Sequence, residues 1–272
     1  MLTVDNENVS HDVYYVKSGD TDLYHLATIP YCFSLMQEMG GGHAAAMGVG
    51  IEDLFQKYKY TWVISRTKVN FCRYAMWRET VSLESWAQSN VRLSCPRVIN
   101  GYVGDKPYFS AMTLWAVVDV ARKRPVRPQQ VLDELNLADP AKHFVSPDLG
   151  PMAEWDETEK LELLPPYEAV PQFYDLDING HINNVVYVEW IISSLPRTFL
   201  KDHEAAMLDV KWVKQTYADD DLTAESAVTG KNGDSVSFIH RIRNKDGATV
   251  FSAVSSWRKR TDEKDQPIVE EL

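Results

Sequence analysis

The chain repeats itself. Val69–Ser85 and Val210–Ser226 superimpose at an offset of 141, so that Phe71 falls on Trp212, Arg73 on Lys214, and the pair Glu84-Ser85 on Glu225-Ser226. Further on, Phe109-Ser-Ala-x-x-x-Trp115 returns as Phe251-Ser-Ala-x-x-x-Trp257, now offset by 142, and each Trp is followed by a basic cluster. Two matches in nearly one register mark a tandem duplication with a repeat of roughly 140 residues, which limits the fold to two copies of one supersecondary plan.

Each copy reads as strand, helix and antiparallel meander. In the first, a strand at His11–Lys17 precedes a helix from Pro30, a residue suited to a first helical turn, to about Met47. Strands then fit Thr61–Asn70, Thr80–Gln88, Val91–Ile99 and Pro107–Ala121. The second copy has a strand near Tyr167–Phe173, a loop over Tyr174–Gly180, and a helix over Ile182–Ser194 that stops before Pro196. Strands follow at Ala206–Gln215, Leu222–Thr229, Ser235–Asn244 and Ala248–Lys259, with Asn-Gly and Asp-Gly turns between the last three. The second helix carries Ile182, Val185, Val186, Val188, Trp190, Ile191 and Ile192, apolar nearly all round, and such a helix must be enclosed. A sheet wrapped around a buried helix, twice, is an α+β plan of the tandem (double) hot-dog type. The expected division is a first repeat over 1–135, a linker over 136–166 rich in proline and acid, and a second repeat over 167–272, with solvated tails at 1–10 and 261–272.

Charge narrows the partners. The formal net charge is −11, the wrong sign for a general binder of nucleic acid, whose phosphates must be neutralised. An acidic protein partner would have to dock on a local basic patch, either Arg122-Lys-Arg124 with Arg127 or Arg258-Lys-Arg260. The three cysteines, Cys32, Cys72 and Cys95, form no C-x-x-C pair, which suits a reducing compartment. With neither a membrane-length apolar run nor a leader pattern at the N-terminus, a cytoplasmic protein is expected.

The densest polar segment, Asp175-Leu-Asp177-Ile-Asn179-Gly180-His181-Ile-Asn183-Asn184, stands directly before the apolar helix. Its D-x-D-x-N-G start copies a calcium loop, but the twelfth place, where a bidentate Glu is required, is Val186. No metal and no cofactor is therefore expected. A purely structural alternative has Asx residues capping the helix, Gly180 turning and His181 bonded in the core. In a catalytic alternative, the amides and partial positive charge of a helix N-terminus polarise a carbonyl, while Asp177 or His181, helped by Asn179, activates a water.

The run Asp177-Ile-Asn179-Gly-His181-Ile-Asn183-Asn184-Val-Val-Tyr-Val-Glu-Trp190 resembles the signature of plant and bacterial acyl-acyl carrier protein thioesterases. The first copy is similar to that family as well, through Leu35–Ala45, Trp62–Arg66 and Arg73–Val81. The resemblance implies a double hot-dog hydrolase of fatty acyl-acyl carrier protein, with Asp177, Asn179 and His181 as the catalytic set. The plant enzymes carry a Glu-Cys pair on the strand after the catalytic helix; the matching places here are Gln215 and Thr216. A thiolate mechanism is thereby disfavoured, leaving direct attack by water or an Asp177 anhydride, with Gln215 as an auxiliary that positions water. In the first copy, Gly40-Gly-Gly42 and His43 suggest close approach of a backbone or an acyl chain, and bulk at Gly41 is expected to shorten the preferred chain. Two rival functions stay open: another hot-dog enzyme, such as an acyl-CoA thioesterase or a dehydratase, and a non-catalytic acyl-binding module. Either a monomer or a homodimer is compatible with two repeats that can cover each other's strand edges.

Overall fold

The computed structural model describes residues 1–89, 92–132 and 147–260. The chain forms two compact units that divide between Asp148 and Leu149. Of the expected linker, residues 136–146 lie outside the described residues, as does the expected tail at 261–272.

Unit one is an antiparallel sheet with one long helix on it. Its strands are β1 (Thr3–Val4), β2 (Ser10–Tyr15), β3 (Tyr60–Phe71), β4 (Thr80–Ala87), β5 (Ser94–Val103), β6 (Lys106–Asp119) and the short β7 (Arg124–Pro125). They lie in the order β1-β2-β4-β5-β6-β3, with β7 also on β6. The helix α1 (Ile29–Ala46) starts where Thr28 Oγ1 accepts from the Tyr31 amide at 3.3 Å, with Pro30 in the first turn. It buries Ile29, Cys32, Phe33, Met36, Met39, Gly40 and His43 against β2, β4 and β5. A second helix, α2 (Ile51–Tyr58), escapes sequence reading because it is short, charged, and buries only Leu54. The single-turn helix α3 (Gln129–Leu132) closes the described part of the unit. Residues 1–10 are not a tail. β1 pairs with β2, Val9 and Ser10 are fully buried, and Asn8 accepts from His43 inside the core.

Unit two repeats the plan. β10 (His203–Trp212), β13 (Thr249–Lys259), β12 (Ser235–Asn244) and β11 (Leu222–Asn232) lie in that order, and the short β8 (Glu162–Leu163) and β9 (Tyr167–Ala169) share the outer edge of β11. The helix α4 (Asn184–Ser193) packs on β11, β12 and β9, burying Val186, Tyr187, Val188, Trp190 and Ile191. Only Glu189 and Ser193 of its side chains are exposed, so the enclosure expected from its composition holds except along one edge. α4 stops before Pro196, as expected, and that proline then caps the start of α5 (Arg197–Asp202), a place proline tolerates. The later part of the expected linker belongs structurally to this unit: Arg241 lies 4.2 Å over the Trp155 ring and donates to Glu157.

The duplication seen in sequence reappears as equivalent bonds. β3 carries a bulge at Ile64/Arg66 and β10 one at Ala205/Met207, again 141 residues on. The cross-strand pair Phe71–Phe109 corresponds to Trp212–Phe251. Just beyond, the amides of Cys72 and Arg73 both donate to the Tyr108 carbonyl, and those of Val213 and Lys214 both donate to that of Val250. The repeated tryptophans donate two residues back along the strand, Trp115 Nε1 to Thr113 Oγ1 at 2.9 Å and Trp257 Nε1 to Ser255 Oγ at 2.8 Å.

A buried polar chain fixes the C-terminal end of α4. Ser194 Oγ donates to the Ile191 carbonyl at 2.6 Å, so Ser226 Oγ must donate to Ser194 and accept from His240 Nδ1, each at 2.6 Å. His240 Nε2 then accepts from Ser255 Oγ at 2.8 Å. Burial draws the His240 pKa down to about 3.

Candidate functional site

The residues Asp177 to His181 form a closed loop before α4, and local chemistry explains its closure. A bridge between Leu176 and Ile182 brings the two ends together. The Asp177 amide donates to the His181 carbonyl at 2.7 Å, and the Gly180 amide to the Asp177 carbonyl at 3.0 Å. Gly180 sits at φ +72°, a left-handed turn that glycine adopts without steric cost. Inside this turn Asp177 Oδ1 accepts from the amides of Asn179 at 2.8 Å and His181 at 3.1 Å. Among the described residues its Oδ2 faces only the Asn179 side-chain amide, at 3.4 Å.

The loop is anchored on both flanks. On one side the Asp175 carboxylate accepts from the Gln172 amide at 2.7 Å, and the Asp175 carbonyl accepts from Asn183 at 2.7 Å. On the other side the Ile182 amide donates to the carbonyl of Thr216, whose hydroxyl lies 2.5 Å from the buried Tyr187 hydroxyl on α4. Thr216 is fully buried, and its carbonyl anchors the loop. Gln215 beside it is exposed, and its side chain makes no hydrogen bond among the described residues. The His181 ring is half-buried and packs on Tyr217, with centroids 5.1 Å apart and planes tilted by 57°. Tyr217 is a neighbour that sequence reading missed; an exposed tyrosine after a polar strand end gives no periodic signal. Phe173, Tyr174 and Ile178, between 78% and 93% exposed, form an apolar rim on the same loop.

One expectation about the loop needs correction. The three candidate residues do not occupy the tip of α4. The helix begins at Asn184, and Asn183 caps it, its Oδ1 accepting from the Val185 amide at 3.0 Å. The positive end of the helix is therefore satisfied by an asparagine, and the Asp177 carboxylate draws on the amides of its own loop. Val186, at the place where a calcium loop needs glutamate, is buried in the helix.

The first-copy candidates behave differently from one another. His43 is fully buried in unit one: its Nδ1 accepts from Arg97 Nη1 at 2.8 Å, so its proton is on Nε2, which donates to Asn8 at 3.2 Å. Burial, with the Arg97 cation beside it, draws its pKa down to about 3. Gly41 is exposed and a Cβ there meets nothing, so it lines no close contact, contrary to expectation. The close approach occurs at Gly40, where a Cβ would stand 3.4 Å from the Trp115 ring, and at Gly42, 2.9 Å from Leu2. Of the basic clusters, Arg122-Lys123-Arg124 is exposed on the turn into β7, with Asp119 at 3.9 Å from Arg122. Arg258 and Arg260 both face Glu204, at 2.6 and 3.8 Å, which cancels much of their field.

Known proteins match this chain along nearly its whole length. The family model described as acyl-ACP thioesterase N-terminal domain matches residues 7–136, and that described as acyl-ACP thioesterase C-terminal domain matches residues 164–259. An oleoyl-acyl carrier protein thioesterase of Coriandrum sativum is 25% identical, over 92% of this chain and 77% of its own. Among solved structures, an oleoyl thioesterase (putative) from Lactobacillus plantarum superimposes with a TM-score of 0.81 at 19% identity, covering 94% of this chain and 98% of that one. The 12:0-ACP thioesterase from Umbellularia californica superimposes with a TM-score of 0.75 at 21% identity, covering 93% and 94%. The double hot-dog fold expected from the repeat is the fold of this chain.

Proposed function

Since the chain belongs to the acyl-ACP thioesterase family, we propose that it hydrolyses fatty acyl thioesters of acyl carrier protein, releasing free fatty acid, on the loop Asp177–His181. The observation that carries the assignment of residues is the closed loop itself. It holds a carboxylate with one oxygen fixed by two amides and the other, Oδ2, lacking a strong donor, four residues from an imidazole whose ring nitrogens bond to no described protein group.

Two balanced routes use these groups. In the first, a water oxygen bonds to the thioester carbon as its proton passes to His181; the C–S bond then breaks and the thiolate takes that proton. In the second, Asp177 Oδ2 bonds to the carbon, the C–S bond breaks and the sulfur leaves as thiolate; water then cleaves the resulting anhydride, one of its protons passing through His181 to the thiolate. Asn179 is placed to hydrogen-bond the attacking group or the developing oxyanion. Hydrolysis in ¹⁸O-water under single turnover separates the routes, since only the anhydride route can leave label in Asp177. If both His181→Ala and Asp177→Asn keep full hydrolytic activity, the site assignment is wrong.

For the partner, Arg122–Arg124 is the better of the two basic patches, because Glu204 is held by Arg258 and Arg260. The acidic carrier protein would dock there. No helix among the described residues is long and apolar enough to cross a membrane, and we place the enzyme in the cytoplasm with its carrier. Turnover on matched carrier and CoA thioesters tests the preference.

A further inference from the structure

Unit one holds a buried cation that no carboxylate balances. Arg97, on the helix-facing side of β5, is 6% exposed. Its Nη1 donates to His43 Nδ1 at 2.8 Å and to Ser85 Oγ at 3.0 Å, and both acceptors are neutral. Among the described residues no carboxylate pairs with it, and the Nε and Nη2 edge of its guanidinium meets no protein acceptor. Burial lowers its pKa only to about 10, so it stays charged at neutral pH.

A buried charge without a counter-charge is costly, and a guanidinium cannot shed its proton as lysine or histidine can. His43 gives no relief, because the bond from Arg97 holds it in the neutral form that donates to Asn8. If Arg97 served only to tie His43 to Ser85, one N–H-bearing nitrogen would suffice. The edge left over is the planar two-donor edge that recognises a carboxylate side-on. Gly40 of α1 faces the arginine stem, where a Cβ would stand in ordinary contact with Arg97 Cδ at 3.7 Å.

We propose that the Nε/Nη2 edge of Arg97 is a binding site for one carboxylate group inside unit one, supplied as a small free anion or as the end of a chain-shaped ligand. Neither the fold nor the hydrolytic role of Asp177–His181 depends on this site, and it is tested by binding rather than turnover. Acetate, octanoate and octanol are titrated calorimetrically into the full chain and into Arg97→Met and Arg97→Lys. Saturable binding of acetate and octanoate with similar affinity marks the free anion; octanoate binding far more tightly than both acetate and octanol marks the chain-borne group. In either case Arg97→Met weakens the carboxylate ligand about tenfold or more, as loss of a charged hydrogen-bond pair should. Where Arg97→Met does not fold, Arg97→Lys carries the comparison: it keeps the charge but not the two-donor edge, and must weaken binding similarly. Failure of the wild-type chain to bind either carboxylate, or undiminished binding by the variants, overturns the proposal.

Discussion

Acid should unfold this protein sooner than its carboxylates alone would, because each unit buries a neutral histidine. His43 and His240 both have folded-state pKa values near 3, against 6.5 for the free side chain. The unfolded chain therefore binds more protons than the folded one between those values, and stability falls as pH falls through that window. The stabilising contribution is complete above pH 6.5 and erodes by about 1.4 kcal/mol per pH unit and per histidine below it, so the step from pH 8 to pH 5 costs about 2 kcal/mol for each. That is a large share of a typical stability of about 5–15 kcal/mol. For His240 the cost has a structural route, since a proton on Nε2 would turn the acceptor of the Ser255 hydroxyl into a second donor, and that hydroxyl would have to turn to another acceptor. The test is urea unfolding by tryptophan fluorescence at pH 8, 7, 6 and 5, on the wild-type chain and His240→Leu. The variant should lose about 1–3 kcal/mol at pH 8, where the hydroxyls lose their partner, yet show a shallower decline with pH. Equal pH slopes for the two chains would refute the assignment of a buried neutral imidazole.

Other outcomes follow from single contacts. Gly101→Ala should destabilise by about 1–3 kcal/mol by overpacking, since a Cβ there would stand 2.6 Å from the Phe109 ring; thermal unfolding checks it. Gly180→Ala should cost about 1 kcal/mol and lower kcat, because the loop needs φ +72° at that residue; steady-state kinetics beside a melting curve separates the two effects. Gly41→Leu should leave the acyl chain-length profile unchanged, as the position is open, and a shortened profile in a product assay would contradict this. Arg122→Glu with Arg124→Glu should raise KM for carrier thioesters and not for CoA thioesters, an effect that shrinks at high salt.

The fold was legible because it is duplicated. Phe71 and Phe109, and their counterparts Trp212 and Phe251, form the same cross-strand pair in each unit, so the sequence offset was already a statement about strand register. The apolar α4 was equally plain. What escaped were elements with little burial to pattern them: α2 buries one residue, and α5 starts at a proline that usually ends helices. The N-terminal ten residues read as a tail because their polarity hides Asn8, whose partner His43 lies 35 residues away. At the candidate site the residue types were legible, but not their geometry. The Asp177 carboxylate is held by its own loop, and Asn183 takes the helix end, a division of work between two nearby Asx residues that composition alone does not settle. Arg97 gave no sequence signal either, since a lone arginine in a strand is ordinarily an exposed one.

The central claim, that Asp177 and His181 act together on a thioester, is tested most directly by single-turnover release of free fatty acid from acyl-carrier protein thioesters, comparing the wild-type chain with Asp177→Asn and His181→Ala. Both variants should bind the substrate and retain the fold while product formation falls by about a hundredfold or more, the scale of a lost general base or nucleophile. Release at the wild-type rate by either variant would remove that residue from the chemistry, and by both would leave the loop a structural turn.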